Sequence, residues 1–279
     1  MKVFVAGSSG AMGRRLVPRL VAGGYEVVAM TRDDGKAAWL CRVGAQPVMA
    51  DALDRAAVAD VVKASEPEVV IHQLTALSGA KSFKNFDKEF ALTNRLRTEG
   101  TDYLLEAAQA AGVRRVVAQS YGNWNYKRTG SAVKTEQDPF DSHPPANQVK
   151  SLQAIRYVEN AVVNAGGIEG IALRYGNFYG PGTGLDLGGD IVAQVRKRMF
   201  PIVGDGAGIW SFVHTWTMLR RPRWQRSSTA GPACTTSPTT SRRRPASGCP
   251  ISRRWSAPSR RATSLSGWDG WPLERSAFR

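Results

Sequence analysis

The strongest pattern in the chain is a series of short, unbroken apolar runs in its first half. Val3–Ala6, Glu26–Met30, Pro47–Ala50, Val69–Leu74 and Val116–Gln119 are each a few residues long and mostly valine-rich. Runs that do not alternate with polar residues suit strands buried on both faces. Between them the apolar spacing becomes helical. Leu16, Val17, Leu20 and Val21 fall on one helical face, and Leu104, Leu105, Ala107, Ala108 and Ala111 do the same ahead of Gly112. Pro18 lies inside the first helical pattern and should remove one backbone bond or kink it. Strands alternating with helices predict an α/β fold, a doubly wound parallel sheet of the Rossmann kind.

Residues 121–148 are polar and irregular, with Pro139, Pro144 and Pro145, and read as a loop or insertion. Leu152–Val163 is then helical in pattern, Ile168–Arg174 a further strand and Asp190–Lys197 a further helix. The expected division is a dinucleotide-binding domain over 1–174, the start of a substrate lobe over 175–214, and a tail over 215–279. The tail has 13 Arg, 11 Ser and seven Pro but no Lys, Val, Tyr, Asn or His. That composition builds neither a strand alternation nor a helical face, so the substrate lobe is expected to be incomplete.

Charge changes the picture less than its total suggests. The net charge is +15, but the tail carries +11 of it and residues 1–214 only +4. The basicity therefore does not mark the enzyme-like part as a nucleic-acid binder. No stretch approaches the roughly 20 apolar residues of a membrane span. Cys41, Cys234 and Cys249 are odd in number and far apart, and His72, His143 and His214 are scattered. No metal site is expected, and a reducing, cytoplasmic location is the default.

The chemistry-bearing motif is Gly7-Ser8-Ser9-Gly10-Ala11-Met12-Gly13, between the first strand and the first helix. Gly7 permits the tight turn, Gly10 the approach of a pyrophosphate, and Gly13 close helix–strand packing. Ser9 and Met12 lie in the same loop. The helix N-terminus offers N–H donors and partial positive charge to the phosphates. The second strand runs into Thr31-Arg32, where an NAD binder usually carries an acid for the ribose 2′-hydroxyl. A guanidinium could clasp a 2′-phosphate instead, so NADP(H) is favoured over NAD(H) although Asp33 and Asp34 follow closely.

The Gly-x-x-Gly-x-x-Gly spacing resembles the extended short-chain dehydrogenase/reductases, the NAD-dependent epimerase/dehydratase family. Asp51-Ala52-Leu53 after the third strand, Gly100–Ala108, Leu173–Pro181, Phe200–Gly206 and Phe212-Val213-His214 are similar to that family's segments. The resemblance runs to residue 214. It implies that Asp51 and Leu53 line the adenine side of the cofactor. Leu74 and Thr75 follow the fourth strand into the site, and Tyr175 and Asn177 pass the nicotinamide. The implied activity is that of an oxidoreductase or epimerase/dehydratase on a small organic substrate, with a homodimer left open.

The departures are informative. The family works through a Ser or Thr, a Tyr, and a Lys four residues after that Tyr, the phenol acting as acid/base. Counted back from Glu159, Ser151 stands in the tyrosine place and Ile155 in the lysine place. Lys150 points about 100° away on a helix. The serine place falls on Tyr121, next to Ser120, and these two are the candidate displaced acid/base pair. Nucleotide-sugar members grip the diphosphate with an arginine two residues before Phe-Val-His, a place held by Trp210 here. This favours a neutral or aromatic substrate over a nucleotide sugar. A catalytically degenerate NADP(H)-binding sensor or regulatory protein is the alternative.

The tail reads as a slip of reading frame near His214. Taking each codon from the third base of the one before, Thr215–Leu219 permits Val-Asp-Asp-Ala, which the family shows after Phe-Val-His. Ala233–Ser237 permits Val-Tyr-Asn-Ile, a family-like strand. The tail as written is expected to lack regular structure and to be cut by trypsin before residues 1–214. The apolar surface around Ile202, Val203, Trp210 and Phe212 is expected to be left partly uncovered.

Overall fold

The computed structural model describes residues 1–77, 85–200, 202, 206 and 208–215, and the backbone of 233–236. The first half alternates β1 (Lys2–Ala6), α1 (Gly13–Ala22), β2 (Glu26–Thr31), α2 (Asp34–Arg42), β3 (Gln46–Met49), α3 (Arg55–Ser65) and β4 (Val69–His72). Three helical pieces follow: α4 (Phe86–Glu89), α5 (Ala91–Arg97) and α6 (Glu99–Ala110). Then come β5 (Arg115–Tyr121), α7 (Val149–Val163), β6 (Glu169–Tyr175), β7 (Asn177–Tyr179), α8 (Asp190–Arg196), β8 (Phe212–His214) and β9 (Ala233–Thr236).

The main sheet is parallel, in the order β3-β2-β1-β4-β5-β6-β9. Chain direction across it reverses between β1 and β4, which opens a crevice at their carboxyl ends, the usual binding place in such sheets. Successive residues of β1 serve opposite faces. Val3 and Val5 join Val27, Ala29 and Ile71 under Leu16, Val17 and Leu20 of α1 and Leu40 of α2. Phe4 and Ala6 join Val28, Met30 and Val70 under Val58 and Val62 of α3, Leu104 and Ala108 of α6, and Val158 and Val162 of α7. Coverage on both sides is why these strands carry no polar alternation.

The expected strands and helices are present with shifted ends. β4 stops at His72, yet the Gln73 amide still donates to the Ala6 carbonyl at 2.8 Å. α1 runs through Pro18, so the ring removes a bond without ending the helix. The polar stretch 121–148 has one antiparallel bridge, Tyr126 with Phe140, and a 3-10 turn at Ala146–Gln148. In the tail, Ala233–Thr236 pairs in parallel with Ile171–Arg174, which departs from the expected lack of regular structure. Residues 216–232 and 237–279 lie outside the described residues. Ile202, Trp210 and Phe212 are exposed, and Val203 is outside the described residues.

Candidate dinucleotide site and adjoining pocket

The loop after β1 is shaped by three different demands on its glycines. Gly7 has φ +85°, and a Cβ there would lie 2.5 Å from the Gln73 carbonyl oxygen. A Cβ on Gly13 would lie 2.2 Å from the Ser8 carbonyl oxygen, so this glycine is required by the close packing of the start of α1 on the backbone of the loop that follows β1. Gly10 differs. Its nearest neighbour would be the Gly7 oxygen at 3.4 Å, and the residue is exposed. Nothing among the described residues needs a bare Cα there, which fits a residue whose open side receives a ligand. Ser8 is fully buried and donates to the Met30 carbonyl at 2.7 Å, tying the loop to β2. The Ser9 carbonyl accepts from Arg14 Nε at 3.0 Å, and Met12 is buried at the N-cap of α1. Among the described residues no chain acceptor is seen for the amides of Ala11 and Met12, which leaves donors at the helix N-terminus.

At the edge of this crevice Arg32 Nη1 donates to Asp51 Oδ2 at 3.0 Å, with both side chains largely exposed. The Leu53 amide donates to Asp51 Oδ1 at 3.0 Å. That amide first, and Arg32 after it, hold the Asp51 carboxyl below its usual range. The structure thus brings together the residue expected at the adenine and the one expected at a 2′-phosphate. Asp33 caps α2, accepting from the Lys36 amide at 2.9 Å, so this carboxylate has a structural task. Leu74 and Thr75 lie half-buried past β4. Gln73 is buried beside them, with no donor to its Oε1 among the described residues.

His72 connects this floor to the neighbouring helices. Its Nδ1 accepts from the Leu74 amide at 3.2 Å, so Nε2 carries the proton and donates to Thr101 Oγ1 at 3.0 Å. Thr101 Oγ1 in turn donates to the Arg97 carbonyl at 2.8 Å. Burial first, and the charge of Arg97 second, push the imidazole down to about 4, so it is neutral at physiological pH.

The two candidate catalytic residues part company. Adjacent strand residues face opposite sides of a sheet. Ser120 is fully buried and donates to Glu159 Oε1 at 2.5 Å, while Arg174 Nε and Nη2 clasp the two Glu159 oxygens at 2.8 Å each. Ser120 therefore belongs to a buried ion-pair network between β5, α7 and β6, and the expected Ser120–Tyr121 pair does not form. Tyr121 donates to Asn177 Oδ1 at 2.7 Å and lies 6.2 Å, ring to ring, from Trp124. Burial pushes its phenol well above the usual range, and Arg97 opposes that only in part. Tyr121 is thus held in its protonated form and donates a hydrogen bond. Tyr175 is buried, packs on Phe178 at 5.4 Å and lies 3.5 Å from the Gln73 amide nitrogen.

In the dyad places, Ser151 bonds Asp87 Oδ1 at 2.7 Å and accepts from Asn94 Nδ2 at 3.1 Å, and Ile155 is buried. A concavity of about 750 Å³ between α4, α5 and α7 includes Asn85, Asp87 and Tyr157 but none of the glycine loop, so it is separate from the cradle. Sequence reasoning passes over Arg97. It occupies the buried face of α5 and α6 that Thr93, Leu96, Gly100, Thr101 and Leu104 define, and a charge in that helical spacing is the available signal.

Comparison with known proteins adds the following. The sequence profile of the NAD dependent epimerase/dehydratase family matches residues 3–216. The chain is 42% identical over 215 residues to the 3-diazoavenalumate denitrifying reductase of a Streptomyces species, covering 77% of this chain and 68% of that protein. It is 30% identical over 225 residues to the UDP-glucose 4-epimerase of Mycolicibacterium smegmatis, covering 76% of this chain and 69% of that protein. The fold is similar to that of the UDP-glucose 4-epimerase of Thermus thermophilus in complex with NAD, with TM-score 0.64 at 22% identity over 85% of this chain and 77% of that one.

Proposed function

The chain belongs to the NAD-dependent epimerase/dehydratase family, and on that premise we propose that it is a nicotinamide-dependent reductase acting on a small organic substrate that is not a nucleotide sugar. The observation that carries the reading is the combination of a complete glycine cradle with Ser151 and Ile155 in the places of the acid/base dyad. Gly7, Ser9, Gly10, Met12 and Gly13 would hold the pyrophosphate, Asp51 and Leu53 the adenine side, and Leu74, Thr75, Tyr175 and Asn177 the nicotinamide side. When bound, the nicotinamide supplies a hydride. Arg32 favours NADP(H), since its guanidinium reaches the cradle's edge and the nearest acid on its own loop, Asp33, is engaged in capping α2.

Without a lysine to lower its pKa, Tyr121 keeps its proton and can only donate a hydrogen bond or act as an acid. Such a site suits an acceptor that takes hydride without forming an alkoxide. A diazonium carbon is one: hydride in, dinitrogen out, a C–N bond replaced by C–H, with no proton required. The relative at 42% identity is named as a reductase of a diazo compound, which supports this class of acceptor. Exposed Trp210 in place of a diphosphate-gripping arginine supports a substrate without a nucleotide.

The test is titration with NADPH and NADH followed by single-turnover assays on carbonyl and diazonium panels. Absence of binding to either cofactor overturns the reading. Binding without turnover on both panels supports a dinucleotide sensor instead, the reading that the empty dyad places also favour. A cytoplasmic location is part of the proposal; among the described residues no helix is long and apolar enough to cross a membrane.

A further inference from the structure

Arg97 ends α5, where Thr98 breaks the helix before α6 begins at Glu99. Only 6% of the residue is accessible. A guanidinium carries five N–H donors in a fixed fork and cannot discard its proton. Among the described residues none of those donors has an acceptor, and no carboxylate pairs with it. Burial accordingly pushes Arg97 down to about 10. An unpaired cation held against the core is costly, and an anion supplied by a ligand would offset that cost.

Among the described residues, the buried and half-buried groups around α5 and α7 that could serve as its counter-ion are engaged elsewhere. Glu159 is held by Arg174 and Ser120. Asp87 is held by Ser151 and the Lys150 amide. Tyr121, whose phenol feels the Arg97 charge, stays protonated and cannot serve as counter-ion.

Position supports a ligand role. Asn94 of α5 bonds Ser151 of α7, the tyrosine place. Arg97 is about one turn further along α5, as Ile155, the lysine place, is about one turn further along α7. The chain from Leu74 through His72 and Thr101 to the Arg97 carbonyl fixes the backbone that carries the guanidinium. Tyr121, which feels the Arg97 charge, lies 6.2 Å ring to ring from Trp124, and Trp124 lies 5.1 Å from Phe86, so an aromatic cluster begins at the phenol that the guanidinium acts on.

We propose that Arg97 is an anion-binding residue of the substrate site beside Tyr121, and that the substrate is an aromatic or conjugated carboxylate whose carboxylate pairs with it. The proposal rests on the nicotinamide-dependent reading above. Two N–H groups of the fork would meet the two carboxylate oxygens, orienting the substrate by one end.

The experiment uses the full chain loaded with NADPH, with cinnamate and its uncharged methyl ester as probes, read by calorimetry at pH 7.5. The expected result is that cinnamate binds at least tenfold more tightly than the ester, that Arg97→Met removes the difference, and that Arg97→Lys keeps part of it. NADPH affinity should change less than twofold in both variants, and Arg97→Met should not lower Tm, because it removes an unpaired buried charge. Equal affinity for acid and ester in the unaltered chain overturns the proposal, as does a preference that survives Arg97→Met. The first of these comparisons needs no variant to fold. Loss of NADPH binding by the unaltered chain would instead sink the dinucleotide reading, so the two failures are told apart.

Discussion

Arg32 and Asp51 form one exposed pair that a bound cofactor must share. Such a pair contributes little to stability, so Arg32→Ala should leave Tm within about a degree of the original while weakening NADPH binding by about 1–3 kcal/mol, the range of a charge-assisted contact. NADH binding should hardly change, and equal losses for both cofactors would remove the 2′-phosphate assignment. His72 makes a second prediction. Its folded value is about 4 against 6.5 for the free side chain. Between those values the unfolded chain binds the extra proton and the folded one does not, so stability rises with pH across the window. The contribution is complete above pH 6.5 and is lost as pH falls toward 4, a loss of about 3 kcal/mol. Denaturant titrations at pH 7.5 and 4.5 should show it, and His72→Gln should flatten the difference. An equal drop in that variant would place the acid sensitivity elsewhere.

At the scale of elements, the turn from β1 into α1 separates a folding role from a binding role. A side chain at Gly13 meets the Ser8 carbonyl, whereas the Cβ of one at Gly10 makes only an ordinary contact with the Gly7 oxygen at 3.4 Å. Gly10→Val should therefore abolish dinucleotide binding with the circular dichroism spectrum unchanged, while Gly13→Val should lower the folded yield. Normal binding by Gly10→Val would reduce the loop to a turn. The contact of β5 with α7 makes a similar distinction. Ser120 serves Glu159 and Arg174 there, and Tyr121 turns to the other side and bonds Asn177. Ser120→Ala should cost about 1 kcal/mol of stability with turnover nearly kept. Tyr121→Phe should lower turnover with stability nearly kept. The opposite pattern would return Ser120 to the chemistry.

For the whole molecule, the question is the lobe beyond the sheet. Its first part is present in β7, α8 and β8, yet Ile202, Ile209, Trp210 and Phe212 are exposed. The seventh strand of the sheet, Ala233–Thr236, comes from the segment whose shifted frame permits Val-Tyr-Asn-Ile. We propose that the frame restored after His214 supplies the missing cover. A restored chain should be more soluble, melt at a higher temperature and turn over faster, with similar dinucleotide affinity because the cradle lies upstream. If melting temperature and solubility do not improve, the frame account loses its physical basis.

The fold and the glycine loop are legible along the chain because each rests on local facts: unbroken apolar runs, helical spacing, and glycines between a strand and a helix; the pairing of Arg32 with Asp51 is a tertiary contact that the chain alone does not show. The missing dyad is legible too, since it depends only on spacing within one helix. The separation of Ser120 from Tyr121 is not, because neighbours in sequence pass for neighbours in space, while a strand turns them to opposite faces and α7 claims one of them. Arg97 needs the tertiary structure most. An arginine two residues from Arg95 in one short helix reads as a solvated charge, and its place among the apolar positions is only a weak signal against that. Only the packing of α5 shows it buried, without an acid to meet it among the described residues, and close enough to Tyr121 for its charge to act on that phenol. Local spacing determines which elements form, and burial and charge balance, which depend on every element at once, decide what their side chains can do.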